Sequence, residues 1–222
     1  MKYSEFLKES KETDNLWLLI DNDDPGSIAL GLAMAANYKS DFKKRYYCTV
    51  EEYTELYEWF IENDIRIDNK ASNPITKVNS FALHIVNKDI SFIPESIYCM
   101  KYLQEIVITE CDNLTELPKN VTKCIYLKEL YVHSCKKFSE LPQDIGKLSR
   151  LKKLEVSLCN LTSIPDSIGD IKYLETFDVN KNKITSYPDS LKKCTKLKYV
   201  TSFGNKCDLS QSLLPDKLVV NM

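Results

Sequence analysis

The sequence predicts an α/β solenoid in which short parallel strands stack side by side and irregular or short-helical segments return the chain from each strand to the next. Three observations predict this fold. A frame of 23 or 24 residues recurs through the second half of the chain, apolar residues alternate near the start of each copy, and a proline stands at the same place in every copy. A helical N-terminal cap is expected in front of the repeats, because the exposed apolar end of a stacked array needs cover.

The strands are predicted by the start of each copy. Complete copies of 24, 24, 23 and 23 residues begin at Leu103, Leu127, Leu151 and Leu174, a degenerate copy precedes them, and a partial copy begins at Leu197. Leu130 and Val132 alternate at period two, so both point inward while Tyr131 points outward. Each copy therefore contributes one strand to a parallel sheet.

The return segments are predicted by the prolines, which stand at positions 94, 118, 142, 165 and 188. Proline lacks an N–H and fixes its own φ, so it ends the strand pattern. One turn of chain cannot bury its apolar edge alone, and stacking of the copies is therefore obligatory.

This frame resembles the intracellular type of the leucine-rich repeat family, whose pattern is L-x-x-L-x-L-x-x-[N/C]-x-L-x-x-L-P-x-x-[I/L]-x-x-L. The resemblance covers residues 78–210, as about five copies and a partial one. The copies with cysteine look like the repeats of plant intracellular immune receptors, and the Leu-Pro step also occurs in animal scaffolds that bind small GTPases. The resemblance implies that the strands line a concave face and that this face binds a protein partner.

The ninth position of each copy forms a column, which we call the ladder. Its members after Lys88 in the degenerate copy are Cys111, Cys135, Cys159, Asn182 and Asn205. A donor there would satisfy backbone carbonyls that the sheet leaves unpaired where each strand bends away, and the family uses Asn or Cys for this purpose. Zinc is a poor alternative, because Cys111 and Cys159 would lie about twice the strand spacing of ~4.8 Å apart. We expect free structural thiols, no metal and no cofactor.

Residues 1–77 are predicted to form a helical capping or adaptor region. Thr49 and Glu52 match a capping box, and the apolar residues Tyr53, Leu56, Tyr57, Phe60 and Ile61 follow on one predicted helix face. Asp24 before Pro25 predicts the start of a helix over 26–37. The acidic run 21–26 suggests a calcium loop, but Pro25 and Leu32 stand where calcium ligands are needed, so the helix cap is preferred.

The remaining flanks are a polar link over 69–78 and a C-terminal cap or tail over 211–222. The apolar residues that would close the last repeat are Leu213, Leu214, Leu218 and Val219.

The charge distribution argues against nucleic acid. Residues 1–77 carry 10 basic and 15 acidic side chains (net −5), and residues 78–222 carry 20 and 17 (net +3), so neither part is strongly basic. The longest apolar stretch, 28–36, is far shorter than the roughly 20 residues that span a bilayer. The N-terminus has no signal-peptide pattern, and we expect an intracellular, cytoplasmic protein with reduced thiols.

The candidate partner-binding residues are the outward strand positions of the concave face: His84, Val107, Glu129, Tyr131, His133, Glu155, Asp178, Tyr199 and Phe203. A polar face with a few aromatic residues suits a protein surface better than a deep ligand pocket. Ordinary solvated strand residues are the alternative. No serine or cysteine nucleophile is predicted beside either histidine, so we expect no catalytic residue and no enzyme.

The sequence therefore predicts a non-catalytic protein–protein interaction module that binds its partner through the concave face. The alternative is an adaptor, whose N-terminal helical region recruits a second complex, such as a ligase, while the repeats select the target. A lysine-rich margin, which runs from Lys147 to Lys198 where the return segments enter the strands, could meet an acidic partner or be a solvated rim.

Overall fold

The structure is a computed structural model that describes residues 14–21, 24–65 and 80–215. The whole of the expected link over 69–78 lies outside the described residues, and so do Leu218 and Val219 of the expected C-terminal cap.

Six parallel strands form one sheet in chain order: β1 (Ala82–Val86), β2 (Glu105–Thr109), β3 (Glu129–His133), β4 (Lys153–Ser157), β5 (Thr176–Asp178) and β6 (Tyr199–Thr201). The register places each strand residue beside its equivalent in the next copy, for example Leu130 beside Leu154. Both are fully buried, as the period-two pattern requires. The predicted α/β solenoid is confirmed.

The return segments contain short 3-10 turns at Glu95–Cys99, Lys119–Lys123, Ile145–Lys147, Asp166–Asp170, Asp189–Lys193 and Gln211–Leu213. In four of them the turn directly follows one of the repeat prolines, which has an extended backbone. Neighbouring turns approach closely. A Cβ at Gly146 would lie 2.2 Å from the carbonyl oxygen of Ser167, and one at Gly169 would lie 2.4 Å from that of Ser190.

In the described part of the chain before the sheet there are four helical segments: α1, described over residues 14–20, α2 (Pro25–Ala35), α3 (Lys39–Tyr46) and α4 (Val50–Glu62). Both predicted helix starts are confirmed. The Asp24 carboxylate accepts a hydrogen bond from the Ser27 amide at 2.7 Å, and Thr49 and Glu52 form a reciprocal capping box. None of the described helices has the length and apolarity that a membrane crossing requires.

Helix α2 ends at Ala35, two residues before its predicted end. The amides of Asn37 and Tyr38 bond to carbonyls three residues back, to Met34 and Ala35, which tightens and closes the last turn. Helix α3 then begins at Lys39.

Helix α4 joins the helical region to the solenoid. Its buried side packs toward the first return turn, Glu95–Cys99, and belongs to the same apolar core as the repeats. Ile61, expected on this side, is 48% exposed, whereas Trp59 is 4% exposed. The buried face of α4 therefore includes Trp59 and excludes Ile61.

Candidate functional site: the concave surface

The outward side chains of the six strands form the candidate site, which we call the concave surface. The register of the parallel strands places equivalent residues of successive copies side by side, so the outward side chains form three rows. The central row is His84, Val107, Tyr131, Glu155, Asp178 and Thr201. The row before it is Ala82, Glu105, Glu129, Lys153, Thr176 and Tyr199, and the row after it begins Val86, Thr109, His133 and Ser157. The predicted residues thus lie side by side on neighbouring strands, except Phe203, which stands two residues beyond β6.

Tyr131 is the centre of a hydrogen-bonded cluster. Its hydroxyl donates to the Glu129 carboxylate, and the Lys153 ammonium lies 3.2 Å from the same carboxylate and 3.3 Å from the Tyr131 hydroxyl. Burial and the hydrogen bond to Glu129 raise the pKa of Tyr131 to about 12. The hydrogen bond from Tyr131, with the nearby Lys153, lowers the pKa of Glu129. These contacts hold a half-buried aromatic ring and two opposite charges in fixed positions.

Glu155 and Asp178 are a pair of adjacent carboxylates. They stand opposite each other on β4 and β5, roughly one strand spacing of about 4.8 Å apart. Asp178 accepts a hydrogen bond from the Asn180 amide at 2.9 Å, whereas among the described residues no side chain pairs with the Glu155 carboxylate. Burial, and next the charge of Asp178, raise the pKa of Glu155.

Both histidines have partners on this surface. His84 Nε2 lies 2.8 Å from Glu105 Oε1, and His133 Nδ1 lies 2.8 Å from Ser157 Oγ. The expectation that no serine stands beside either histidine is therefore wrong, because the parallel register brings Ser157 directly opposite His133. Among the described residues no carboxylate bonds to the other ring nitrogen of His133, so the pair lacks the group that orients a catalytic histidine.

The exposed apolar side chains of the surface lie at its two ends. Val86 on β1 is 53% exposed, and Tyr199 and Phe203 near β6 are 67% and 56% exposed. The Phe203 amide donates to the Asn180 side-chain oxygen at 2.9 Å, which holds the segment after β6 against the preceding copy. Tyr199 and Phe203 therefore present their rings to solvent from an ordered backbone.

Lys153 and Ser157 are functional candidates that the predicted set omitted. Both occupy outward strand positions, so the period-two pattern was sufficient to predict that they lie on this surface. Their contacts with Tyr131 and His133 could not be predicted from the period-two pattern. Each contact joins residues of two different copies, and these residues are 22 and 24 positions apart in the sequence.

The ladder side chains lie at the edge of the sheet beside the concave surface. Asn182 donates to the carbonyls of Val156, Val179 and Asn180 at 2.7–3.1 Å, and its side-chain oxygen accepts from the Leu161 amide at 3.0 Å. Asn205 makes the same kind of contacts. The thiols of Cys111, Cys135 and Cys159 point at backbone carbonyls with sulfur–oxygen distances of 3.3–3.8 Å.

The residue directly before each ladder position has a left-handed backbone, a feature that the sequence did not reveal. These residues are Asn87, Glu110, Ser134, Leu158, Lys181 and Gly204, with φ between 50° and 72°. Each of the first five donates its amide hydrogen to a carbonyl of the next copy. Only glycine and asparagine favour this conformation, so the other four side chains gave no signal.

All eight cysteines are free thiols. In the part of the chain that the structure describes, no three His, Cys, Asp or Glu side chains are grouped closely enough to hold a metal ion.

The arrangement was compared with known proteins. No family model and no curated protein matches the chain. Among solved structures it is similar to a leucine-rich repeat protein of Leptospira interrogans, at 26% identity and a TM-score of 0.57, over 68% of this chain and 38% of that one. The chain thus spans little more than a third of the Leptospira protein's length.

Two further structures are similar at lower identity. The leucine-rich repeat domain of the type III effector XopL is 15% identical, over 76% of this chain and 71% of that one, with a TM-score of 0.44. The BIR2 ectodomain from Arabidopsis thaliana is 22% identical, over 60% of this chain and 70% of that one, with a TM-score of 0.47.

Proposed function

Because the chain has a leucine-rich repeat fold, we propose that it is a non-catalytic module that binds a protein partner through its concave surface. The observation that carries the proposal is the cluster of Tyr131, Glu129 and Lys153, a half-buried ring with two fixed charges at the middle of the surface. Preorganised aromatic side chains bordered by charges are typical of the residues that dominate interface energy.

The partner should present basic side chains to this surface. The three rows carry four carboxylates, on Glu105, Glu129, Glu155 and Asp178, against the single ammonium of Lys153. A lysine or arginine placed between Glu155 and Asp178 would offset both effects that raise the pKa of Glu155, which are its burial and then its repulsion from Asp178. The exposed rings of Tyr199 and Phe203 would pack beside it.

The test uses the double variant Tyr131→Ser with Asp178→Asn. Wild type and variant, each immobilised at equal density, are exposed to extract from the native host, and the retained proteins are identified and quantified. We expect the double variant to lose the partner that the wild type retains, while its circular dichroism and melting temperature stay close to wild type.

The matched control is Phe92→Ser with Asp166→Asn, which makes comparable changes at exposed residues outside the strands. This control should retain the partner. Undiminished capture by the concave double variant, in a folded protein, would contradict the proposal.

We further propose that the N-terminal helices act as a cap. The buried side of α4 is continuous with the core of the first repeats, and Lys88, the first ladder position, lies 3.3 Å from Asp64 just after α4. These contacts favour the cap over a separate adaptor. We also propose an intracellular location, where the ladder thiols that contact backbone carbonyls would stay reduced.

A further inference from the structure

A second surface of the solenoid, which we call the basic edge, is formed by the residues just before each strand. Two columns run along it, because equivalent residues of successive copies stack about 4.8 Å apart. The first column stands three residues before β2 to β6 and consists of Tyr102, Tyr126, Arg150, Tyr173 and Lys196. The second stands one residue before β3 to β6 and consists of Lys128, Lys152, Glu175 and Lys198.

The basic edge has a strong excess of positive charge. Glu175 is the single acidic side chain in the two columns, and it is already paired with Lys198 at 2.5 Å and with Lys152 at 3.9 Å. Arg150 and Lys196, by contrast, have no carboxylate partner among the described residues. The cations of the two columns therefore outnumber the acidic side chains of those columns.

Aromatic rings lie among these cations. The Tyr102 ring is 6.3 Å from the rings of both Phe81 and Tyr126, and the Arg150 guanidinium lies 4.7 Å from the Tyr126 ring centre. Lys101 lies 3.0 Å from the ring centre of Tyr47 and 5.3 Å from that of Tyr102. Rings at these distances hold the cations in place.

Several exposed apolar side chains lie in or beside the two columns. Phe81 is 60% exposed, Tyr173 and Ile125 are each 55% exposed, and Tyr102 is 44% exposed. Exposed aromatic residues beside arginine are the composition that distinguishes interface cores from the rest of a protein surface. A contiguous patch of this kind marks an interaction site more often than a solvated rim.

We infer that the basic edge docks an acidic segment of a partner protein, one that carries aromatic side chains among its carboxylates. The carboxylates would pair with Arg150 and Lys196, and the aromatic side chains would pack on the exposed Tyr173 ring and the exposed Ile125 side chain. This site is separate from the concave surface, so it does not depend on the function proposed for that surface.

A protein segment fits this edge better than single-stranded nucleic acid. Base recognition needs open ring faces, whereas here Arg150 covers Tyr126, and Tyr102 lies between Phe81 and Tyr126.

The test measures the binding of a fluorescein-labelled peptide of four Glu-Glu-Tyr-Glu units by anisotropy at physiological salt. The full chain should bind it, and the triple variant Lys128→Glu, Arg150→Glu, Lys196→Glu should weaken binding by roughly tenfold or more, because each reversal replaces attraction with repulsion. The same peptide with alanine in place of tyrosine should bind more weakly than the tyrosine peptide to the wild type.

The matched control is Lys119→Glu, Lys183→Glu, Lys206→Glu, which makes the same change in net charge at exposed lysines outside the edge. It should bind within about twofold of wild type, and so should Tyr131→Ser with Asp178→Asn. Absence of peptide binding, equal losses in the two triple variants, or tighter binding of labelled oligo(dT) than of the peptide would each overturn the inference.

Discussion

At the scale of single residues, the left-handed position before each ladder residue shows that stacking can impose an unfavourable backbone conformation. Leu158 has a φ of 55° although leucine disfavours that region. Its amide donates to the carbonyl of Asn180 at 3.0 Å, and the equivalent amides in other copies do the same. The inter-copy hydrogen bond therefore holds this conformation whatever the side chain is.

The first prediction concerns Leu158, whose side chain is 41% exposed. Leu158→Asn should raise the free energy of unfolding by roughly 0.5–1 kcal/mol, because asparagine tolerates the left-handed region better. Chemical denaturation measures the change. The reciprocal variant Gly204→Leu, at a φ of 72°, should lower the free energy of unfolding. A change of the same sign in both variants would contradict this explanation.

The second prediction concerns the carboxylates of the concave surface. Burial and Asp178 raise the pKa of Glu155 in the folded state, so ionised Glu155 costs stability at neutral pH, and this cost disappears as pH falls and the group is protonated. Glu155→Gln should therefore stabilise the protein at pH 7 by roughly 0.5 kcal/mol, a value limited by solvent screening.

Denaturation of Glu155→Gln and wild type at several pH values gives the test. The difference should vanish below the ordinary glutamate pKa of about 4.3. Glu58→Gln, on the outer face of α4, controls for the loss of one charge. A benefit from Glu155→Gln that persists unchanged at low pH would show that charge is not its cause.

At the scale of elements, the 3-10 turns determine how tightly the copies stack. At Gly146 and Gly169 the backbone of the next turn approaches so closely that an added Cβ would overlap a carbonyl oxygen. No sequence pattern predicted this close approach, because neither glycine falls in a strand or at a proline step. The solenoid therefore has a second packed layer, of backbone against backbone, on the side away from the strands.

The third prediction follows from that layer. Gly146→Ala should lower the free energy of unfolding by about 1–3 kcal/mol, because the new methyl group would overlap the Ser167 carbonyl oxygen. The control Lys192→Ala changes the equivalent but exposed position of a later turn and should have almost no effect. Thermal melts of both variants make the comparison, and equal melting temperatures would refute close stacking at Gly146.

At the scale of the whole molecule, the helical region and the repeats form one continuous apolar core. Tyr53, Leu56 and Phe60 of α4 are fully buried in it. Removal of the helices would expose the first turn of the solenoid, and a repeat array needs a covered end to stay folded.

The fourth prediction is that deletion of residues 1–77 will lower the melting temperature and increase aggregation of the remaining repeats. Circular dichroism and light scattering measure both effects. Repeats that melt at the wild-type temperature after the deletion would show that the helices are a separate unit and would favour the adaptor alternative.

The sequence by itself determined the solenoid, the sheet order and the outward residues of the concave surface. The reason is that a period of 23 or 24 residues, a period of two and a proline step are local signals that repeat in every copy. The tertiary structure decided which side chains meet, including His133 with Ser157, Tyr131 with Lys153 and Arg150 with Tyr126. It also decided the left-handed residues and the close approach at Gly146, because these depend on the rise and register between neighbouring copies, which no single copy encodes.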